Sequence, residues 1–77
     1  MNQILLFADL REKTGKSETE LDAAGKTVKE VRNLLFQTYQ LPAIQESMVA
    51  INEEFATNGT VISERDVVAF IPPVSGG

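Results

Sequence analysis

The sequence predicts one α+β domain, in which one main helix covers one face of a mixed sheet of four to five strands. Two observations support this fold class. The middle of the chain carries apolar residues at helical spacing, and strand-like apolar runs lie near both ends. The 77 residues are enough for one small domain, and 43% of them are hydrophobic, which is an ordinary proportion for a globular core.

The first third of the chain predicts two strands joined by a loop. Residues 4–8 form a continuous apolar run, which is typical of a strand covered on both faces. Turn-forming residues follow at 13–16, and residues 17–21 have the alternation of a second strand. The two strands are expected to form a hairpin with a long connection.

Thr27 and Glu30 predict where the main helix begins. Their spacing fits a capping box, in which each side chain accepts a hydrogen bond from the backbone amide of the other residue. The helix is expected over residues 28–39, because Leu41 precedes a proline and therefore avoids helical dihedral angles. Its predicted apolar stripe consists of Val28, Val31, Leu34 and Leu35.

The second half of the chain predicts two or three further strands. These are expected at 48–52, at 55–56 and at 67–71. The expected connections are tight turns at Glu53–Glu54 and Asn58–Gly59, followed by a polar corner at 63–66.

The first and last strands are the most apolar, so we expect them side by side at the centre of the sheet. The last strand follows the helix, which allows a parallel pairing through a right-handed crossover. One helix on one face of such a sheet is the β-grasp arrangement of ubiquitin-like proteins. The aromatic residues expected in its core are Phe7, Phe36, Phe55 and Phe70. Of these, Phe70 is expected to be partly exposed, because it borders the end of the chain.

The composition argues against several kinds of function. A net charge of -4 disfavours nucleic-acid binding, which needs Lys and Arg to neutralise phosphates. The acidic excess lies entirely in residues 34–77, so a partner of that half is expected to be basic. Because the chain has neither Cys nor His, no disulfide, thiol nucleophile or metal site is expected. The sequence shows no signal-peptide pattern or membrane-length apolar segment, so a cytoplasmic protein without membrane contact is expected.

Residues 72–77 are expected to form an extended tail after a domain of residues 1–71. Pro72 and Pro73 restrict the backbone, which lowers the entropy lost when the tail enters another protein. Gly76 and Gly77 lack Cβ, so the backbone can pass through a narrow channel. This combination suggests a tail that brings its terminal carboxylate to a reactive centre of another protein.

A free carboxylate reacts only after activation. Attack on the α-phosphate of ATP would give an acyl-adenylate, and a sulfur nucleophile could then displace AMP and leave a thiocarboxylate. The chain has no glycine-rich nucleotide-binding loop, so we expect ATP to be used by an activating partner and no cofactor to be bound by this chain. The absence of cysteine is consistent with this activation, because a thiol within the chain could react with the activated terminus.

The end of the chain resembles that of a known family. Residues 70–77, Phe-Ile-Pro-Pro-Val-Ser-Gly-Gly, are similar to the tail of the small subunit of molybdopterin synthase, the MoaD-type sulfur carriers. Weaker similarity occurs at Phe7-Ala8, Arg11-Glu12, Gly15 and Ala50-Ile51-Asn52. One departure is Arg65, because members of that family often carry glycine before the aspartate.

The resemblance implies a function for the tail. Gly77 would be adenylated by an ATP-dependent adenylyltransferase and then thiocarboxylated, and Gly76 would give it passage. The sulfur would go to cyclic pyranopterin monophosphate and build the dithiolene of molybdopterin. The chain would be a non-catalytic subunit in a heterotetramer of two small and two large subunits, with the active site on the large one. The residues that would contact the large subunit are Phe70, Pro72, Pro73, Val74 and Ser75.

Three alternatives stay open from the sequence. A thiamine-pathway sulfur carrier shares the fold and the Gly-Gly end, although the Phe-x-Pro-Pro segment favours the molybdopterin branch. A ubiquitin-like modifier would join its terminus to lysines of target proteins. A plain binding module would keep its function without Gly76 and Gly77, whereas a carrier would lose it.

Overall fold

A computed structural model describes residues 1–73 of the chain. Within these residues the secondary structure runs β1 (Asn2–Leu6), α1 (Ala8–Thr14), β2 (Glu18–Leu21), α2 (Val28–Tyr39), α3 (Pro42–Glu46), β3 (Met48–Ile51), β4 (Glu54–Ala56) and β5 (Val67–Ile71). The strands form one sheet in the order β2-β1-β5-β3-β4. The mixed five-stranded sheet with one long helix confirms the predicted α+β class.

The pairing of β1 with β5 confirms the predicted centre of the sheet. The two strands are parallel, with Leu5 opposite Ala69 and Leu6 opposite Phe70. The other pairs, β1 with β2, β3 with β4 and β3 with β5, are antiparallel. The parallel register means that β1 and β5 end at the same edge of the sheet, where the tail follows Ile71.

The capping box sets the start of α2 as predicted. The Glu30 amide donates to the Thr27 hydroxyl at 3.2 Å, and the Thr27 amide donates to the Glu30 carboxylate at 3.0 Å. The helix ends at Tyr39, followed by Gln40 in the left-handed conformation. Three members of the predicted stripe are buried, but Leu34 is 38% exposed, so the stripe is narrower than expected.

Two short helices were not predicted. Helix α1 occupies the long connection of the first hairpin, and Leu10 is its one buried residue. The first strand therefore stops at Leu6, and Ala8, expected in the strand, begins the helix. Helix α3 begins with Pro42, whose fixed φ suits a first helical turn. In the described part of the chain, no helix has both the length and the hydrophobicity needed to cross a membrane.

The core lies between α2 and one face of the sheet. Ile4, Val68 and Phe70 on the strands pack with Val31 and Leu35 on the helix, and all five side chains are buried. Burial alternates along β1 and β5, whose outward-facing residues are intermediate or exposed. The expectation that the first strand is covered on both faces is therefore wrong, and the last strand likewise has one open face. One helix of this length covers one face, and the opposite face of the sheet stays open.

The β3–β4 turn lies one residue earlier than predicted, at Asn52 and Glu53. Both residues have positive φ, at 52° and 71°, which matches the twist of a two-residue hairpin. Asparagine suits this conformation, and its side chain also accepts a hydrogen bond from the Val67 amide at 2.9 Å. The Asn52 amide group in turn donates to the Asp66 carboxylate at 2.8 Å, which ties the turn to the polar corner.

Arg65 occupies the corner in the left-handed region, with φ of 71°. We expect Arg65→Gly to increase the free energy of unfolding by about 0.5 to 1 kcal/mol, because glycine removes the Cβ penalty while adding some unfolded-state entropy. Urea denaturation would measure the change. The matched control is Arg65→Ala, which removes the same side chain but keeps Cβ. Equal stability of the two variants would show that the backbone conformation carries no penalty.

Candidate functional site

The tail begins at the end of β5, beside the end of β1. Ile71 is the last residue of the strand, Pro72 is buried and Pro73 is exposed. The Phe7 amide donates to the Phe70 carbonyl at 3.3 Å, which holds the root of the tail against the chain that leaves β1. Of the other residues predicted to carry function, Val74, Ser75, Gly76 and Gly77 lie outside the described residues, and their roles stay predictions.

The structure corrects the expected position of Phe70. Its side chain is 0% exposed, so the expectation of partial exposure is wrong. The alternation along β5 places Val68 and Phe70 on the helix side of the sheet and Ala69 and Ile71 on the open side. Phe70 therefore anchors the root of the tail in the core, and its ring offers no surface for the predicted contact with a partner. Pro72 is buried as well, which leaves Pro73 exposed among the predicted contact residues that the structure describes.

Arg32 supports the tail root from the core side. Its guanidinium lies 5.9 Å from the centroid of the Phe70 ring, within the range of a cation–π contact. One guanidinium nitrogen donates to three backbone carbonyls at the end of α3, at 2.9 Å to Ile44, 3.1 Å to Gln45 and 2.7 Å to Ser47. Arg32 is 9% exposed, and this burial lowers the pKa of its side chain.

The Arg32 contacts connect α2, α3 and β5. We expect Arg32→Met to lower the free energy of unfolding by about 3 kcal/mol, because three carbonyls lose their charged donor in a place with little water. Arg32→Lys should cost less, since it keeps a charge but loses the forked geometry. Urea denaturation of both variants tests this. A loss below about 1 kcal/mol for Arg32→Met would show that water or neighbouring groups replace the guanidinium.

The open side of the sheet carries an apolar groove. Leu5, Ala69, Ala50 and Phe55 follow one another across strands β1, β5, β3 and β4, because each is opposite the next in register. The short side chains of Ala50 and Ala69 form the low centre of this surface, and the Phe55 side chain at one side of it is 69% exposed. The residues that define this groove are Leu5, Phe7, Ala50, Phe55, Ala69 and Ile71.

Two residues of this groove were expected in the core. Phe7 is 44% exposed and Phe55 is 69% exposed, so that prediction is wrong for both. Phe7 lies beyond the end of β1, and Phe55 points away from the core because its neighbour Ala56 points toward it. The open face could have been predicted from the sequence, because a single long helix covers only one of the two faces of a sheet.

The groove and the tail share Ile71, which lines the groove and immediately precedes the two prolines. Exposed aromatic and aliphatic side chains beside a short tail suit docking to another protein. Within residues 1–73, no group of His, Cys, Asp and Glu is arranged to hold a metal ion. The geometry leaves the start of the tail, after Ile71, next to an exposed surface that a second protein could cover.

A five-stranded mixed sheet with one long helix covering one of its faces defines a ubiquitin-like protein of the β-grasp class. Residues 4–77 match the ThiS family, and the chain belongs to that family. It is 36% identical over 78 residues to the molybdopterin synthase sulfur carrier subunit of Arabidopsis thaliana, with 97% of this chain and 81% of the relative covered. It is 32% identical over 81 residues to the protein of the same name from Escherichia coli (strain K12), with all of both chains covered.

Solved structures show the same fold. The small archaeal modifier protein SAMP1 of Haloferax volcanii superposes with a TM-score of 0.75 and 27% identity, covering 99% of this chain and 98% of that one. A chain from the complex of subunits 1 and 2 of the molybdopterin-converting factor of Helicobacter pylori 26695 superposes with a TM-score of 0.72. It covers 99% of this chain and 97% of that one, and at 22% identity the likeness supports the fold alone.

Proposed function

We propose that this chain is the sulfur carrier subunit of a molybdopterin synthase. The observation that carries the proposal is the similarity, along the whole chain, to two relatives of that name from a plant and a bacterium. The position of the tail supports it, since the tail leaves the sheet next to an apolar groove on which a partner can dock. Gly77 is the residue proposed to carry sulfur, and Gly76 gives it access.

The proposed chemistry has two steps at the Gly77 carboxylate. The carboxylate oxygen attacks the α-phosphate of ATP on an activating enzyme, and pyrophosphate leaves. Hydrosulfide supplied by the partner enzymes then attacks the acyl carbon, AMP leaves and the proton is lost, so the terminus becomes a thiocarboxylate. This chain supplies the carbonyl group and its delivery, while the partner enzymes supply the nucleotide site and the sulfur.

The large subunit of the synthase is the proposed acceptor. Two relatives of this chain are named as sulfur carrier subunits of a molybdopterin synthase, which supports a partner of this kind. We place the contact on the apolar groove, because its exposed aromatic residues would be covered and the tail would enter the partner from Ile71. Assembly of two small with two large subunits, and sulfur transfer to cyclic pyranopterin monophosphate, complete the proposal.

A comparison of two acceptors tests the proposal against the thiamine pathway. The thiocarboxylated chain would be incubated either with the large synthase subunit and cyclic pyranopterin monophosphate, or with the thiazole-forming enzyme and its substrates. We expect molybdopterin to form in the first mixture and no thiazole in the second. Thiazole formation without molybdopterin would assign the chain to the thiamine pathway.

Protein modification is a second candidate function. It is favoured by one observation, the 27% identity over almost the whole chain to a small archaeal modifier protein. A modifier would form isopeptide bonds between Gly77 and lysines of other proteins. Mass spectrometry of cell extracts, in which Gly-Gly remnants on lysines are traced to this chain, separates this activity from sulfur transfer. Adducts that disappear in a strain without the chain would establish it.

A further inference from the structure

Carboxylates bound the apolar groove on two sides. Glu18 and Glu20 on β2 lie opposite Leu5 and Gln3 of β1, and therefore on the open side of the sheet. Across the sheet, Glu53 in the β3–β4 turn lines the groove. We call Glu18, Glu20 and Glu53 the acidic margins.

Other charges leave the acidic margins largely uncompensated. In the described residues 1–73 the one salt bridge joins the amino group of Met1 to Glu64, at 2.6 Å, and includes none of the three margin carboxylates. Glu18 accepts a hydrogen bond from the neutral amide group of Gln3. Glu18 and Glu20 line a second, more polar depression together with Arg65 and Met1, whose side chain and amino group respectively carry the positive charges there. The three margin carboxylates therefore outnumber the positively charged groups beside them, because the Met1 amino group is paired with Glu64 and Arg65 is a single charge.

From this arrangement we propose that the partner surface covering the groove has an apolar projection with basic residues on both sides of it. The inference rests on the proposed function and specifies the chemistry of the contact on the large subunit. The two small central residues, Ala50 and Ala69, leave room for one bulky apolar side chain between Phe7 and Phe55. Lys or Arg residues on either side would then face Glu53 at one margin and Glu18 with Glu20 at the other.

The two parts of this contact have different physical roles. Burial of the apolar groove contributes affinity, and it depends little on salt. Charges at the edge of an interface act mainly on the association rate and on orientation, because they attract the partner before contact. Margins on opposite sides of the groove also align the basic residues of the partner across the groove.

Stopped-flow association with the large synthase subunit tests the inference. The variant carries Glu18→Gln, Glu20→Gln and Glu53→Gln, which keep the size of each side chain and remove three charges. The matched control carries Glu12→Gln, Asp22→Asn and Glu46→Gln, which remove three charges from exposed positions that do not line the groove. Both would be compared with the unmodified chain from about 0.02 to 0.5 M salt.

We expect the margin variant to associate about tenfold more slowly at low salt and to lose most of its salt dependence. Its dissociation rate should change less, and the control should stay within about twofold of the unmodified chain. Equal association rates and equal salt dependence for the two variants would overturn the inference while leaving the proposed function intact. Failure of the unmodified chain to bind the large subunit would contradict the proposed function as well.

Discussion

Removal of Gly76 and Gly77 is expected to abolish sulfur transfer and leave the folded domain unchanged. The shortened chain ends about 7 Å earlier, since an extended chain gains at most about 3.6 Å per residue, so its carboxylate cannot reach the same reactive centre. Within residues 1–73, the hydrophobic core cluster ends at Phe70, well before the two glycines. We therefore expect an unchanged urea midpoint together with no detectable thiocarboxylate. Normal transfer by the shortened chain would return the protein to the class of plain binding modules.

Adding a single methyl group at Gly77 tests the role of the two glycines with a smaller change than their removal. Gly77→Ala is expected to reduce activation or sulfur delivery at least tenfold, because Cβ adds width where the channel has to admit a bare backbone. The control is Gly59→Ala, where an added Cβ meets no atom within 4 Å. If Gly77→Ala transfers sulfur at the normal rate, the narrow-channel explanation of the two glycines is wrong.

Replacement of Ala69 by phenylalanine is expected to weaken binding of the large subunit about a hundredfold. Ala69 lies at the low centre of the groove, between Leu5 and Ala50, so a ring there occupies the space proposed for the partner's side chain. The new side chain points away from the core, because Val68 and Phe70 are the residues of β5 that face α2. The free energy of unfolding should therefore change by less than about 0.5 kcal/mol.

A phenylalanine introduced on the helix side of the domain provides the control for Ala69→Phe. Gln37 is exposed on α2, which packs against the other face of the sheet, and Gln37→Phe adds an aromatic residue without entering the groove. Isothermal titration calorimetry of both variants would give the two dissociation constants. Equal affinity of Ala69→Phe and the unmodified chain would place the contact elsewhere on the molecule.

Local signals in the sequence predicted much of the fold. The capping box at Thr27 and the proline after Leu41 fix the ends of α2, because they act through neighbouring backbone groups. The apolar runs gave the central pair of strands. Helices α1 and α3 were not predicted. Each buries a single residue, Leu10 in α1 and Ile44 in α3, so neither shows a periodic apolar stripe in the sequence.

The candidate site depended on information that no local pattern contains. The residues 67–71 are all apolar, so composition could not show which of them face α2 and which face outward. Phe70 was therefore expected to be partly exposed, whereas it is fully buried. Phe55 was expected in the core and is 69% exposed. The conformation of Arg65 could not be predicted from the sequence either. Its backbone has a positive φ, which usually indicates glycine, but the residue at this position is arginine.

The central claim is that Gly77 becomes a thiocarboxylate, and intact mass spectrometry tests it most directly. The chain would be incubated with ATP, the activating enzyme and a sulfur source, and then weighed whole and as its C-terminal peptide. The account predicts a mass increase equal to the replacement of one oxygen atom by sulfur, located at Gly77. An unchanged mass, with an activating enzyme that modifies a known carrier in the same mixture, would contradict it.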